Sequence, residues 1–218
     1  YRENDYLGGD DPYSASKAAA EILINAFLKS YNSKNKIPLY LATARAGNVI
    51  GGGDWSEDRL VPDCVKACSK KKIVKIRNPY STRPWQHVLE AISGYLLLAI
   101  KLKSKKRIHG EAFNFGPNLN HNYSVMSLLK ETKKTWPLIK WSAKDKSKNF
   151  RESNLLKLNC NKAKKLINWS SVLSFKENIK MTMKWYKIYY EGKNSEQMKK
   201  FSEKQVQEFT KLLKKKLK

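Results

Sequence analysis

Cysteine, histidine and arginine are scarce in this chain, and each scarcity excludes something. The three cysteines are Cys64, Cys68 and Cys160. An odd number at wide spacing is not a disulfide framework. Cys64 and Cys68 stand four apart in a helical pattern, but no matching Cys/His pair follows at metal-site spacing. They read as packed thiols in a reducing compartment, the cytoplasm, and no metal is expected. No apolar run approaches the roughly 20 residues of a membrane span. The opening Tyr1-Arg2-Glu3 has neither Met nor an apolar leader, so nothing in it directs secretion, and it suggests a truncated sequence. No internal repeat is present. Also missing is the strand, Gly-rich turn and helix with which a dinucleotide-binding fold begins.

Acidic residues are outnumbered. Against 19 Asp and Glu stand 44 Lys and Arg, for a net charge of +25. Such a balance raises the possibility of nucleic-acid binding through phosphate contacts. Yet only seven of the basic residues are Arg, the side chain suited to bidentate and stacking contacts. Lys gathers instead at Lys101 to Lys106, Lys144 to Lys148 and Lys199 to Lys218. A coding bias toward Lys and Asn explains this better, and no specific nucleic-acid partner is expected. Hydrophobic residues at 41% and aromatics at 11% are too many for a disordered chain.

Periodicity predicts helices over Tyr13–Ser30, Val61–Ser69, Val88–Leu102, Ser124–Thr135, Lys162–Ile167 and Phe175–Tyr190. In the first, Ala18, Ile22, Leu23, Ala26 and Phe27 make one apolar face. Leu39–Ala44 reads as a strand buried on both faces, as in a parallel sheet. Gly47 to Gly53 follows as a glycine-rich loop. Ile73–Arg77, Ala112–Phe115 and Ile139–Ser142 are further strands, and the chain from Arg77 through Pro84 reads as a loop. Ser195–Lys218 is a Lys-rich amphipathic helix with Phe201, Val206, Phe209 and Leu213 near helical spacing, better read as solvated than as membrane-bound. Alternating helices and buried strands predict an α/β protein: the second half of a Rossmann-type doubly wound parallel sheet plus a smaller substrate-binding domain. The expected division is 1–60 for the Rossmann part, 61–192 for a substrate lobe with interleaved Rossmann elements, and 193–218 for the tail.

Four segments carry chemistry. Tyr13 and Lys17, four apart, share a helix face. A nearby ammonium favours the phenolate and makes a phenol a usable base. The spacing alone also fits an ordinary surface pair. Thr43 to Trp55 leaves a strand end, where open α/β sheets bind ligands, and presents Asn48 and a glycine run that a ligand can approach closely. Arg59 and Arg83, in Asp58-Arg59-Leu60-Val61-Pro62-Asp63 and Arg83-Pro84-Trp85-Gln86-His87-Val88, suit a diphosphate clamped by guanidinium groups. His87 reads as structural.

In this order, these segments resemble the extended short-chain dehydrogenase/reductase family, in its nucleotide-sugar epimerase/dehydratase branch. The telling strings are Tyr1-Arg2-Glu3, Asp11-Pro12-Tyr13-Ser14, the run Arg45 to Trp55, Arg77-Asn78-Pro79, the run Arg83 to Glu90, and Asn114-Phe115-Gly116-Pro117. Gly51-Gly52-Gly53-Asp54-Trp55 and Arg83-Pro84-Trp85-Gln86-His87 are similar to the subgroup that dehydrates CDP-glucose. The resemblance covers roughly residues 1 to 190.

It implies an NAD-dependent lyase acting on CDP-glucose to give CDP-4-keto-6-deoxyglucose. It implies Tyr13 as the base, Lys17 as its partner and ribose ligand, and Asn48, Arg59, Arg83 and Arg151 as nucleotide-sugar ligands. It implies a homodimer of the full-length enzyme through the Tyr13 helix. The acid/base segment for water loss lies, in relatives, just before the position of Tyr1. The chain alone is therefore expected neither to bind NAD tightly nor to turn over. Three alternatives stay open: another epimerase or dehydratase of the same family, a basic nucleic-acid-binding module, and a non-catalytic piece that needs a partner chain.

Overall fold

In the computed structural model, residues 1–31, 39–104, 106–119, 122–143 and 156–217 are described. They form seven α-helices, one 3₁₀ turn (Lys106–Ile108) and eight short strands. The helices are α1 (Pro12–Tyr31), α2 (Leu60–Ser69), α3 (Val88–Ser104), α4 (Val125–Thr135), α5 (Asn161–Ile167), α6 (Phe175–Tyr190) and α7 (Ser195–Leu217). The strands are β1 (Thr43–Ala46), β2 (Asn48–Ile50), β3 (Val74–Ile76), β4 (Thr82–Arg83), β5 (Trp85–His87), β6 (Ala112–Phe115), β7 (Tyr123–Ser124) and β8 (Trp141–Ala143). Three ladders are parallel, β1 with β6, β2 with β5 and β3 with β8, and β4 with β7 is antiparallel. The predicted α/β class and parallel pairing are therefore present.

The segment from Thr43 to Ile50 is the spine. It pairs first with β6, in the register Ala46 to Phe115, and then with β5, in the register Asn48 to Trp85. Gly47 is the point of exchange. Its N–H donates to Phe115 O at 3.1 Å, and the Asn48 N–H donates to Pro84 O at 3.1 Å. A Cβ on Gly47 would lie 2.7 Å from that Pro84 oxygen, so only glycine lets the two backbones approach this closely. The buried Gln86 stitches the ladders together, its Nε2 donating to Phe115 O at 2.8 Å.

Two apolar clusters flank this spine. One joins Ile50 to Val61, Cys64, Val65 and Cys68 of α2, Leu128 and Leu129 of α4, and Ile179, Met183 and Tyr186 of α6. The other joins Phe113 and Phe115 of β6 to Leu98 of α3, Ile167 of α5, and Trp169. Each fully buried side chain of this size contributes about 1.5–3 kcal/mol. Helix α6 starts at a capping box, Ser174 accepting from the Glu177 amide and Glu177 accepting from the Ser174 amide, which fixes where it enters the first cluster. All three cysteines are free, and burial pushes the Cys64 and Cys160 thiols up to about 12.

Three expectations need correction. The strand near residue 40 is not buried on both faces. It begins at Thr43, and Leu39 and Tyr40 before it are 37% and 45% exposed. Within β1 itself Ala44 is exposed, so one face lacks the cover that an interior parallel strand has. The apolar face read on α1 is real in sequence but uncovered: Ala18 and Leu28 are buried, while Ile22, Leu23 and Phe27 are exposed. The glycine loop and the loop before Pro84 contain strands, β2 and β4, because each finds its partner far along the chain.

The junction of β5 and α3 buries two titratable groups with opposite tendencies. Burial pushes the His87 imidazole down to about 4, and its Nδ1 accepts the Leu89 amide. Burial pushes the Glu90 carboxyl up to about 7, although Oε1 accepts the Val172 and Leu173 amides at 2.8 and 2.6 Å. The His87 contribution to stability is lost as pH falls from 6.5 toward 4. The Glu90 contribution is present below 4.5 and lost as pH rises toward 7. Each gives a slope of about 1.4 kcal/mol per pH unit, of opposite sign. Between pH 4.5 and 6.5 they offset one another. Glu90→Gln should therefore make Tm rise with pH across that window, and His87→Gln should make it fall. Parallel slopes for both variants and the wild type would contradict this.

Candidate active site

The site forms where the spine changes partners. A cleft of about 1070 Å³ opens beside β2 and the start of α2. Its walls include Tyr13, Asn48, Gly51, Gly52, Arg59, Arg77 and Arg83. Open parallel sheets place ligands in this way, in the crevice beyond their strand ends.

Tyr13 reaches the cleft from the first turn of α1. Asp11 caps that helix, its Oδ1 accepting from the Tyr13 and Ser14 amides at 2.9 and 3.0 Å, and Pro12 fills the position where an amide proton is not needed. The Ser14 hydroxyl and the two amides hold the Asp11 carboxyl below the usual range. The Lys17 ammonium lies 5.4 Å from the centre of the Tyr13 ring. The structure thus brings the predicted pair together, with Tyr13 on the cleft wall and Lys17 beside it on the exposed face.

One turn further, Glu21 continues the same face and grips β1. Its carboxylate accepts from Arg45 Nε at 2.6 Å and from Arg45 Nη2 at 2.7 Å. The pair is largely shielded from water, and the Glu21 hydrogen bonds raise the Arg45 guanidinium above its ordinary value. Such a two-pronged contact fixes orientation as well as distance. Sequence reasoning missed this tie. Its signal was the spacing, since Tyr13, Lys17 and Glu21 recur every four residues.

Asn48 opens β2 and is half-buried. Arg59 is exposed and precedes α2 in extended conformation, so its charge stands at a helix start, where free amides favour anions. Arg83, on β4, is half-buried, and its Nη1 donates to Thr82 O at 2.8 Å. Arg77 was not predicted as a site residue, yet it lines the same cleft and pairs with Asp58 at 3.4 Å. Four of the six predicted site residues, Tyr13, Asn48, Arg59 and Arg83, therefore share one cavity, and Lys17 lies beside Tyr13 on α1. Arg151 lies outside the described residues. His87, the last residue of β5, is buried and does not line the cleft.

Parallel ladders flanked by helices, with a cleft at a strand switch, define a Rossmann-type α/β protein. The family model for GDP-mannose 4,6 dehydratase matches residues 1–182, and the chain belongs to that family. It is 39% identical over 197 residues to the CDP-glucose 4,6-dehydratase of Salmonella typhimurium, covering 89% of this chain and 55% of that protein. It is 26% identical to human dTDP-D-glucose 4,6-dehydratase, over 85% of this chain and 51% of that one. The chain spans about half the length of the curated relatives it matches. Among solved structures, an epimerase from Methanothermobacter thermautotrophicus superposes with a TM-score of 0.72 at 19% identity, covering 85% of this chain and 53% of that one. The dTDP-glucose 4,6-dehydratase of Bacillus anthracis, solved with NAD, gives 0.67 at 21% identity, covering 88% and 57%.

Proposed function

We propose that this chain carries the nucleotide-sugar site and the redox tyrosine of a CDP-glucose 4,6-dehydratase. The observation that carries the reading is the gathering of Tyr13, Asn48, Arg59 and Arg83 on one cleft, in a chain 39% identical to such an enzyme. Arg59 and Arg83 clamp the diphosphate of CDP-glucose, and Arg77 adds a third guanidinium on the same wall. Asn48 donates to the same substrate from the head of β2, and Arg151 is assigned to the diphosphate by resemblance alone.

Tyr13 takes the proton of the sugar 4-hydroxyl as C4 is oxidised. Lys17 places a positive charge beside it. The resulting 4-ketone acidifies the C5 proton, and water is lost across C5 and C6. The cofactor of this chemistry is NAD, which when bound would accept the hydride from C4 and return it to C6 after water has left, with a proton added at C5. By the resemblance, Tyr13 and Lys17 would hold its nicotinamide end, and no glycine-rich turn for its pyrophosphate stands among these 218 residues.

Among the described residues no helix is long and apolar enough to cross a membrane. A cytoplasmic location suits three free thiols and a nucleotide-sugar substrate. The partner we infer besides CDP-glucose is a second copy, seated on α1. The support is the exposed Ile22, Leu23 and Phe27, a face that solvent disfavours. Light scattering of the longest reading frame that carries these residues should give a dimer, with Leu23→Lys shifting it toward monomer; a monomer at every micromolar concentration would count against the inference.

The enzymatic reading is tested by following CDP-glucose conversion with NAD, using the longest reading frame that carries these residues. Tyr13→Phe should lower kcat by roughly 10²–10⁴-fold while leaving CDP-glucose affinity close to wild type. Arg83→Ala should weaken CDP-glucose binding by about tenfold or more. Full turnover by Tyr13→Phe would refute the assignment.

A further inference from the structure

The glycine run that follows β2 is held from behind by the carboxyl-terminal part of the chain. Trp185 of α6 lies against Gly52, and a Cβ on that glycine would stand 2.1 Å from the indole ring. The next residue of α6, Tyr186, donates its hydroxyl to Asp54 O at 2.7 Å. Trp55 packs among Trp185, Tyr186, Tyr189 and Tyr190, with ring centres 5.0 to 6.5 Å away. Trp185 is in turn backed by α7. Its Nε1 donates to Ser202 Oγ at 2.9 Å, and the Ser202 hydroxyl donates to Met198 O at 2.9 Å. The buried Gln205 adds a bond from Nε2 to Met181 O at 2.8 Å, tying α7 to α6 at a second point.

A run of three glycines has more backbone freedom to lose than any other tripeptide and no side chains with which to fix itself. Gly51, Gly52 and Asp54 nevertheless form a wall of the cleft. Something outside the run must choose its conformation. We propose that Trp185, braced by Ser202, is a positioning residue for the substrate cleft, so that the Lys-rich helix α7 belongs to the scaffold of the site. The functional half of this proposal rests on reading the cleft as the nucleotide-sugar site. The structural half, that Trp185 orders residues 51–54, does not.

The two halves can be separated by measuring amide hydrogen exchange at residues 51–54 and calorimetric binding of CDP-glucose, both on the 218-residue chain. In Trp185→Ala, exchange at 51–54 should quicken by about tenfold or more, and the Kd for CDP-glucose should rise by about fivefold, because the wall must be ordered on binding. Trp185→Phe keeps a ring over Gly52 and should restore most of both. Ser202→Ala should fall between Trp185→Ala and wild type. Ile167→Ala opens the separate cluster around β6 and α5; it should lower Tm with neither effect. Unchanged exchange at 51–54 in Trp185→Ala, or equal acceleration by Ile167→Ala, would overturn the proposal. Loop protection lost in Trp185→Ala, with no CDP-glucose binding even in the wild type, would sustain the positioning role and count against the nucleotide-sugar reading alone.

Discussion

One strand changes partners at one glycine, and the rest of the molecule is arranged around that event. Up to Ala46 the spine is bonded to β6; from Asn48 it is bonded to β5. Phe115 O accepts both the Gly47 amide and the Gln86 side chain, so the two ladders meet at a single carbonyl. The gap left by this divergence is the cleft, and Asn48, the first residue past it, stands on its wall. Any side chain at position 47 would meet Pro84 O and force the ladders apart. Packing on both sides of the spine then follows: α2, α4 and α6 gather on Ile50, and α3 and α5 gather on Phe113 and Phe115.

The electrostatics divide in the same way. The net charge of +25 is mostly Lys, and the described Lys side chains of α6 and α7 are exposed, where solvent and salt screen them. The few Arg side chains do the geometric work. Arg45 locks α1 to β1 through Glu21, and Arg59, Arg77 and Arg83 line one cavity. A planar, always-charged fork suits those places and a flexible ammonium does not. Glu21 pairs with Arg45, Asp58 with Arg77, and Asp54 and Asp63 stand on the same cavity wall as the cleft arginines.

The sequence made the helices legible because the 3.6-residue period is a local signal, and all seven lie close to where periodicity put them. Strands were harder. β2, β4 and β5 are two or three residues long, and each exists only because a partner far along the chain supplies its hydrogen bonds. Leu39 and Tyr40 are more exposed than their apolar run suggests, since such a run does not tell where its strand begins or which of its faces is covered. Tyr13 and Lys17 were visible from spacing, and Arg59 and Arg83 from their motifs. That Tyr13, Arg59 and Arg83 share a cavity was not, nor was the arrival of Arg77 beside them. The contact of Trp185 with Gly52 joins residues 133 positions apart, and no local pattern announces it.

The most direct test of this account is to titrate the isotopically labelled chain with CDP-glucose and map the backbone amide shifts. The account predicts saturable changes concentrated at Asn48, residues 51–54, Arg59, Arg77 and Arg83, with the amides of α3 and α5 left in place. Saturable changes centred elsewhere, or none up to millimolar CDP-glucose, would contradict the claim that the strand switch at Gly47 builds a nucleotide-sugar site.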